Sequence, residues 1–435
     1  MNRNIMMTTN TARRCPYTRA PEAVATRGPN TLDIPVLDVD PFEDSVLANP
    51  HEMHEKLREA DGDIVYIPAY DIYAVARYDA VCDTLEHWQH FSSGAGVGLA
   101  NFKTEEPWRT PSLLLEADAP QHDAPRAALE KILGARKLRR FQTEWSNTAE
   151  QLIDTLLTEQ NNKKDDGSVT LDAVNKISEV YPLSVFPDAV GLQQGGLDNL
   201  LPYGNFAFNA FGPRNRLVTD ELETIGPVMQ WVSEQCPREA LNDSGFGADI
   251  WQAADQRNIT EDQAPLIVRS LLTAGVDTTV YGISAVLYHL ASNPDQYARL
   301  REEPHLIRRA FEEALRLESP VQTFFRTTTQ PVQVDNTVVP ENQKVLMFLG
   351  SANRDPRRWT NPDTFDLDRD PSGHVAFGRG VHQCVGQHVA RLEASCVLEA
   401  VVERVTKIEF ASPPKRKINN TLQGWQSLPL RFTPA

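Results

Sequence analysis

One cysteine of this sequence has the surroundings that metal or redox chemistry needs. Cys384 lies in the run Phe-Gly-Arg-Gly-Val-His-Gln-Cys-Val-Gly of residues 377–386, whose glycines allow a tight turn and close approach of backbone amides. Apolar residues recur at helical spacing directly afterwards, so Cys384 is predicted to lie at a helix N-terminus. The helix dipole and the free amides there favour a thiolate, which is a suitable ligand for iron. A buried structural cysteine is the alternative, and it suits a lone cysteine better than one in such a loop.

A second motif lies in the longest stretch with helical periodicity. Residues 274–279 read Ala-Gly-Val-Asp-Thr-Thr, and a glycine inside a helix costs about 1 kcal/mol relative to alanine. The hydroxyl of Thr278 can donate to the carbonyl of Ala274, four residues earlier, and loosen the turn. We therefore expect a groove there that admits dioxygen and water. The alternative is an ordinary helix kink.

The elements that position these motifs are mostly helices. Thr260 and Gln263 have the spacing of a capping box, which predicts the start of the long helix, and the Asn-Pro pair at 293–294 predicts its end. Periodicity and turn residues predict the other elements. They are a hairpin at 63–77, helices within 122–160, 219–236 and 261–316, strands within 323–349, and a loop, a helix and a strand in the remainder. This order predicts a mainly α fold with a small β subdomain.

No linker, repeat or low-complexity tract divides the sequence after its first 30 residues. Residues 1–30 are rich in Thr, Arg, Pro and Asn and are predicted to be a mobile leader, and residues 31–435 a single domain. We find no signal peptide, and no stretch that we judge apolar enough to cross a bilayer. We therefore expect a cytoplasmic protein.

Charge and cysteine content exclude several classes of protein. The net charge of −16 disfavours nucleic acid or an anionic membrane as the main partner. The 5 cysteines are scattered, which favours reduced thiols over a disulfide framework. Residues 131–140 run against the overall charge, because they are basic and contain no acid. From charge alone, a solvated helix face is the simplest interpretation of them.

The loop around Cys384 matches, position for position, the haem-binding signature of the cytochrome P450 family. Residues 274–279, 313–316 (Glu-Ala-Leu-Arg) and 362–369 resemble the family's other motifs and follow in the same order. The resemblance covers essentially everything after the leader. It implies a triangular helical prism with haem b between the long helix and the Cys384 loop, and Cys384 as the axial ligand. It also implies a monooxygenase, which inserts one atom of O2 into its substrate and reduces the other to water.

The same resemblance assigns roles to further residues. Asp277 and Thr278 resemble the acid–alcohol pair that delivers protons to oxygen. Glu313, Arg316 and Arg369 resemble a buried network behind the cysteine loop. The residues that match positions binding the haem or its propionates are His122, Arg126, Arg326, Phe377 and His382. Buried propionates need cationic or hydrogen-bonding partners, and the alternative for each polar residue is an ordinary surface position.

A narrower resemblance concerns the substrate. Residues 181–189, 209–213, 319–329 and 350–359 look like the bacterial P450 subfamily that oxidises para-substituted benzoic acids. Those enzymes demethylate para-methoxybenzoate to para-hydroxybenzoate and release formaldehyde. The resemblance therefore implies a small aromatic acid as the substrate, oxidised by O-demethylation or hydroxylation.

The residue pattern fits such a ligand independently. Arg269, Ser270 and Thr273 lie on one side of the long helix, about a turn before the oxygen groove, where they can bind a carboxylate. The residues expected to clamp a flat ring between that anchor and the iron are Leu99, Phe208, Phe211, Ala274, Val321 and Phe324. The alternative for each apolar residue is a plain core position.

Three positions depart from the benzoate-oxidising relatives. Ala95 and Ala100 stand where the relatives place an arginine and a serine, and Thr273 replaces a serine. Loss of that cation weakens binding of simple benzoates or shifts the preference to another aromatic acid or a phenol. We still expect para-methoxybenzoate to bind and to displace the water ligand of the iron.

Electrons are expected from other proteins. The resemblance implies transfer from NAD(P)H through a flavin reductase and a small [2Fe–2S] ferredoxin to a monomeric enzyme. The basic residues 131–140, with Arg379, are then expected on the face nearest the thiolate, where an acidic ferredoxin docks. Two alternatives stay open, a hydroxylase of another small hydrophobe (terpene, fatty acid or phenol) and a non-catalytic haem-thiolate sensor.

Overall fold

Helices dominate the computed structural model, which describes residues 34–158, 164–193 and 195–435, and about 48% of the chain is helical. The predicted leader, residues 1–30, lies outside the described residues. The helices are α1 Asp44–Ala48, α2 His51–Glu59, α3 Tyr78–Glu86, α4 Asp123–Ile132, α5 Ala135–Thr158, α6 Val180–Val190, α7 Leu200–Asn209, α8 Arg216–Thr219, α9 Ile225–Glu234, α10 Phe246–Asp255, α11 Gln263–Ala274, α12 Asp277–Ser292, α13 Pro294–Glu302, α14 Ile307–Glu318, α15 Leu349–Ala352 and α16 Gln387–Arg404. The predicted mainly α fold is confirmed.

The strands form a small β subdomain beside the helices. They are β1 Ile64–Ile67, β2 Ile72–Val75, β3 Phe91–Ser92, β4 Val169–Asp172, β5 Thr323–Thr328, β6 Val332–Val334, β7 Thr337–Val339, β8 Lys344–Phe348, β9 Val405–Phe410, β10 Lys415–Lys417, β11 Gly424–Ser427 and β12 Pro429–Pro434. The largest sheet has the order β1-β2-β8-β5-β3, and β4-β12-β9 form a second. The predicted hairpin is confirmed, since Ile64 pairs with Val75 in an antiparallel register.

The core packs around α12. Gly282 lets α14 approach, because a Cβ there would lie 3.1 Å from the ring of Phe311. Most of α12 is buried, and α5, α14 and α16 surround the same core. The helical segment Gln263–Ser292 is in fact long and apolar enough to span a membrane, so our expectation of no such stretch is wrong. However, 78% of its most apolar window is buried inside the protein, which is typical of a core helix.

The long helix begins where the sequence predicts but is interrupted in the middle. The amide of Thr260 donates to Gln263 Oε1 at 2.9 Å and the amide of Gln263 to Thr260 Oγ1 at 3.3 Å, so the capping box is confirmed. Helical structure stops after Ala274 and resumes at Asp277. Gly275 is required at this break, because a Cβ there would lie 2.2 Å from the ring of Phe186.

A buried ion-pair network supports the loop that precedes α16. Arg316 Nε lies 2.8 Å from Glu313 Oε2, and Arg369 Nε lies 2.8 Å from Glu313 Oε1. The predicted three-residue network is confirmed. Arg316 also donates to the carbonyl of Asn353 at 2.7 Å, and the side chain of Asn353 accepts from the amide of Val375 at 2.7 Å. The network therefore fixes the backbone at the start of the cysteine loop.

Candidate active site

The loop before α16 folds around Cys384 in tight backbone turns. Gly378 and Gly380 have φ values of +67° and +69°, which glycine adopts without strain. A Cβ on Gly380 would lie 2.9 Å from the carbonyl oxygen of Leu85, so the loop packs directly on α3. The amide of Cys384 donates to the carbonyl of Phe377 at 2.7 Å and closes the turn.

Cys384 lines a cavity of the protein, and its accessible surface is exposed there. Burial raises the pKa of the Cys384 thiol, while the amides of Gly386 and Gln387 and the guanidinium groups of Arg126 and Arg391 oppose the shift. The predicted effect of the backbone amides is therefore present, since the amides of Gly386 and Gln387 lower the pKa of this thiol. Desolvation of the charged sulfur outweighs the amides. A metal ion deprotonates a thiol that coordinates it, so a thiolate here requires a bound metal.

The cavity separates the cysteine loop from the break between α11 and α12. Cys384 and Phe377 line one side, and Ala274, Gly275 and Thr278 line the other. Most of the remaining walls are apolar, and they include Val97, Leu114, Leu115, Leu129, Leu133, Phe186, Phe208, Leu271, Phe311, Leu315, Val321, Phe324 and Leu349. A flat apolar group that carries a metal ion, with the sulfur of Cys384 as a ligand of that metal, therefore fits this cavity.

The turn that carries the acid and the alcohol is opened as predicted. Thr278 Oγ1 donates to the carbonyl of Ala274 at 2.8 Å, and this contact replaces the helical bonding that is lost at the break. Thr278 lines the cavity opposite Cys384. A groove in the helix thus lies beside the position that an iron bound to Cys384 occupies.

Asp277 points away from bulk water and has an orphaned oxygen. It is 4% exposed, and its Oδ2 has no hydrogen-bond partner in the described part of the chain. Gly204 of α7 makes room for it, because a Cβ there would lie 2.2 Å from this oxygen. Burial raises the pKa of Asp277 to about 7, with Lys417 opposing the shift and Glu179 and Glu221 adding to it. The carboxyl group therefore exchanges a proton near neutral pH, as an acid–base catalyst must.

Two buried nitrogens beside the cavity fit an anionic group. Neither Arg326 Nε nor His122 Nε2 has a partner among the described residues. Burial lowers the pKa of Arg326 to about 10, with Asp118 opposing the shift. Burial also lowers the pKa of His122 to about 4, and the nearby His382 and Arg126 lower it further. Arg326 is a buried cation, which is costly without an anion, whereas His122 is neutral at pH 7 and can donate an N–H. Both residues therefore fit the propionates of a haem.

His382 and Arg126 contact protein atoms in this structure. The ring nitrogens of His382 lie 3.1 Å from the carbonyl oxygen of Leu114 and 3.1 Å from Asp118 Oδ1. Arg126 donates to the carbonyl of Gln383 at 2.5 Å, directly before Cys384. Both residues line the cavity. His382 must exchange one of its contacts to bind a propionate, whereas the guanidinium of Arg126 has more N–H donors than its contacts use.

The predicted substrate residues divide into two groups. Those that line the cavity are Ser270, Ala274, Phe208, Val321 and Phe324. Those that lie behind this lining are Arg269, Thr273, Phe211 and Leu99. Phe211 packs edge-on against Phe208 and Phe324, and its carbonyl accepts from the amide of Leu99 at 2.8 Å. Phe211 and Leu99 therefore support Phe208 and Phe324 from behind.

The polar side chains of α11 contact residues that the sequence did not single out. Ser270 Oγ lies 3.1 Å from Ser112 Oγ, and Thr273 Oγ1 lies 3.4 Å from the hydroxyl of Tyr203. Arg269 donates to the carbonyl of Thr110 at 2.7 Å. Neither Ser112 nor Tyr203 belongs to a motif, and only the fold brings them to α11.

The loop with the departures is held by a buried lysine. Lys344 Nζ donates to the carbonyls of Ala95 at 3.1 Å and Gly96 at 2.9 Å. Burial lowers the pKa of Lys344 to about 7. A cation thus supports the backbone at position 95, although the side chain there carries none.

The basic segment of α5 is partly neutralised. Arg140 and Lys137 lie 3.2 Å and 3.8 Å from Asp249 of α10, and both remain about half exposed. Arg379 of the cysteine loop forms an ion pair with Glu86. The long-range charge of these residues is therefore smaller than the sequence suggests.

Comparisons with known proteins agree with this geometry. The family model described as Cytochrome P450 matches residues 230–431. The chain is 51% identical over 420 residues to "Cytochrome p450 CYP199A2" of Rhodopseudomonas palustris, which covers 96% of this chain and 100% of that protein. It is 28% identical to the "Beta-dihydromenaquinone-9 omega-hydroxylase" of Mycobacterium bovis, over 91% of this chain and 79% of that one.

Solved structures show the same fold. Cytochrome P450 CYP109Q5 from Chondromyces apiculatus superposes with a TM-score of 0.74 at 26% identity, over 92% of this chain and 99% of that one. Cytochrome P450 CREJ superposes with a TM-score of 0.80 at 21% identity, over 91% and 99%. The similarity to CYP199A2 extends over nearly the whole chain. This chain belongs to the cytochrome P450 family, and it is a haem-thiolate monooxygenase.

Proposed function

We propose that this monooxygenase oxidises a small aromatic acid, most favourably a para-substituted benzoate, by O-demethylation or hydroxylation. The observation that carries the proposal is the distribution of polarity in the cavity. Its walls are apolar near the ring-clamping residues Phe208 and Phe324, and Ser270 adds a hydroxyl on the α11 side, with Arg269 directly behind it. A ligand with a flat apolar body and one anionic end matches this arrangement.

The haem is proposed to bind between Cys384 and the break in the long helix. Cys384 supplies the axial sulfur, and Arg326, His122, His382 and Arg126 supply partners for the propionates. When bound, the haem activates O2 for insertion of one oxygen atom, and the thiolate ligand favours cleavage of the O–O bond. The residues around it hold the substrate, exclude water and supply protons.

Asp277 and Thr278 are proposed to deliver those protons. Asp277 has a pKa of about 7, so it can both accept and release a proton at neutral pH, and the next residue, Thr278, lines the cavity. Thr278 keeps the groove open through its contact with Ala274 and presents its hydroxyl to the cavity. A sensor that binds a gas or an acid without turnover has no use for such a pair, and this favours the enzyme.

A spectral titration tests the substrate class. Para-methoxybenzoate is added to the ferric enzyme and the Soret band is followed, with para-methoxybenzamide as the uncharged analogue of the same shape. We expect the acid to cause a low- to high-spin shift and to bind at least ten-fold more tightly than the amide, because a charged hydrogen bond contributes roughly 1.5–3 kcal/mol. Formaldehyde and para-hydroxybenzoate are the expected products with ferredoxin, reductase and NADH.

A neutral small hydrophobe is the second candidate substrate. It is favoured by Ala95, which leaves the loop of residues 91–101 without a side-chain cation, and by the contact of Arg269 with the carbonyl of Thr110. Equal binding of the acid and the amide, or spectral shifts only with phenols, terpenes or fatty acids, would support this candidate and remove the benzoate.

We further propose that the enzyme acts in the cytoplasm as a monomer and receives electrons from a [2Fe–2S] ferredoxin. Docking near α4 and α5 is supported by the contact of Arg126 with Gln383, which joins α4 to the cysteine loop. Charge reversal of Lys137 and Arg140 to glutamate is expected to slow the first electron transfer in a salt-dependent way. An unchanged rate would exclude this surface, and Arg216→Glu on α8, where Arg216 pairs with Asp44 of α1, is the matched control.

A further inference from the structure

We propose that Arg109 is a second cation that binds the acid substrate, and that Glu116 limits the site to a single negative charge. This inference rests on the proposed function. Neither residue belongs to a motif of the sequence, and both precede α4.

The two residues form a buried ion pair beside the polar end of the cavity. Arg109 Nη1 lies 3.0 Å from Glu116 Oε2, and their side chains are 7% and 2% exposed. The same Nη1 donates to the carbonyl of Thr110 at 3.1 Å, and Arg269 Nη2 donates to that carbonyl at 2.7 Å. Two guanidinium groups therefore converge on one oxygen atom.

A chain of contacts links this pair to the cavity wall. The amide of Ser112 donates to Glu116 Oε2 at 2.7 Å, and Ser112 Oγ lies 3.1 Å from Ser270 Oγ. Ser270 lines the cavity, as do Leu114 and Leu115, which follow Ser112 in the same segment. Ser270 is thus linked to Arg109 through Ser112 and Glu116, and it directly follows Arg269 in the sequence.

The charges of this cluster do not balance. Arg109 and Arg269 contribute two positive charges and Glu116 one negative charge. Arg109 and Glu116 are the guanidinium and carboxylate groups that act on Arg269. Two nitrogens of Arg109, Nε and Nη2, are buried without a partner in the described residues. One monoanion supplies both the missing charge and acceptors for these nitrogens.

A structural role for the pair makes a different prediction. If Arg109 and Glu116 only fix the loop against α11, loss of either partner loosens the same wall. Both single variants then weaken every ligand. If the pair sets the charge of the site, the two variants act in opposite directions, and only on anions.

The experiment measures dissociation constants of para-methoxybenzoate and para-methoxybenzamide for the ferric enzyme, by Soret titration and by calorimetry. The variants are Arg109→Gln, Arg109→Lys and Glu116→Gln, with Arg238→Gln as a surface control. We expect Arg109→Gln to weaken the acid at least ten-fold, Glu116→Gln to tighten it several-fold, and Arg109→Lys to keep most of the affinity. The amide should change less than two-fold in each.

The outcomes separate the two proposals. If the wild-type enzyme binds the acid no better than the amide, the proposed function fails and this inference fails with it. If the wild type prefers the acid but Arg109→Gln and Glu116→Gln shift its affinity in the same direction, or not at all, only this inference is overturned.

Discussion

Replacement of Asp277 by asparagine should make the enzyme slower and, above neutral pH, more stable. The carboxyl group is 4% exposed, and burial raises its pKa from 3.8 to about 7. A raised pKa means that the folded state holds a proton that the unfolded state has released. Stability is therefore fully present below pH 3.8 and falls as the pH rises toward 7. A shift of about 3 pKa units at 1.36 kcal/mol each corresponds to roughly 4 kcal/mol.

The asparagine variant removes this cost because it cannot ionise. It has nearly the same shape, so it still fits beside Gly204, where no side-chain atom is available to clash. We expect the variant to exceed the wild type in free energy of unfolding at pH 8 by up to roughly 4 kcal/mol, and by much less at pH 4.5. Turnover should fall by about 10²–10⁴-fold, the usual contribution of a positioned acid or base, while the substrate-induced spin shift remains.

The assays are urea unfolding of the ferric enzyme at both pH values and product formation with the full electron-transfer chain. Asp255→Asn is the matched control, because Asp255 is exposed and paired with Arg238. Wild-type turnover in the Asp277 variant would refute the proton-delivery role. Equal gains in stability at pH 4.5 and pH 8 would refute the argument from ionisation.

Three further predictions follow from buried contacts. Arg316→Ala leaves the carboxylate of Glu313 buried with one partner fewer, so it should lower the unfolding free energy by about 3–5 kcal/mol. The haem content measured after purification should fall as well. Full haem content and wild-type stability would contradict the network's role. The pKa of Lys344 is lowered from 10.5 to about 7 in the folded state, so between pH 7 and 10 the unfolded state binds more protons and the stability of the wild type should rise with pH. Lys344→Met should abolish this rise. An unchanged pH profile in urea unfolding would count against it. Gly275→Ala should destabilise the protein by about 1–3 kcal/mol through overlap with Phe186, and Phe186→Leu in the same chain should restore part of the loss; no rescue would locate the strain elsewhere.

The sequence predicts those features of the site that depend on neighbours along the chain. The turn around Cys384 follows from Gly378 and Gly380, and the contact of Thr278 with Ala274 follows from their four-residue spacing. The Glu313–Arg316 pair also has local spacing, while the participation of Arg369 came from the resemblance to the family. In each case the structure has the contact that was predicted.

Features that depend on distant segments were missed or misjudged. Arg109, Ser112 and Tyr203 reach α11 only through folding, and no periodicity in the sequence connects them with it. The burial that raises the pKa of the Cys384 thiol depends on how much protein surrounds the sulfur, which a motif does not reveal. The basic residues 131–140 looked unopposed for the same reason, since Asp249 lies on another helix.

The central claim is that the sulfur of Cys384 holds the haem iron. The measurement that tests it most directly is the difference spectrum of the dithionite-reduced enzyme with carbon monoxide, for the wild type and for Cys384→His. The wild type should show the red-displaced Soret band of thiolate-ligated haem, and the histidine variant should bind haem without that band. A wild-type spectrum of a nitrogen-ligated haem, or an unchanged band in the variant, would contradict the assignment.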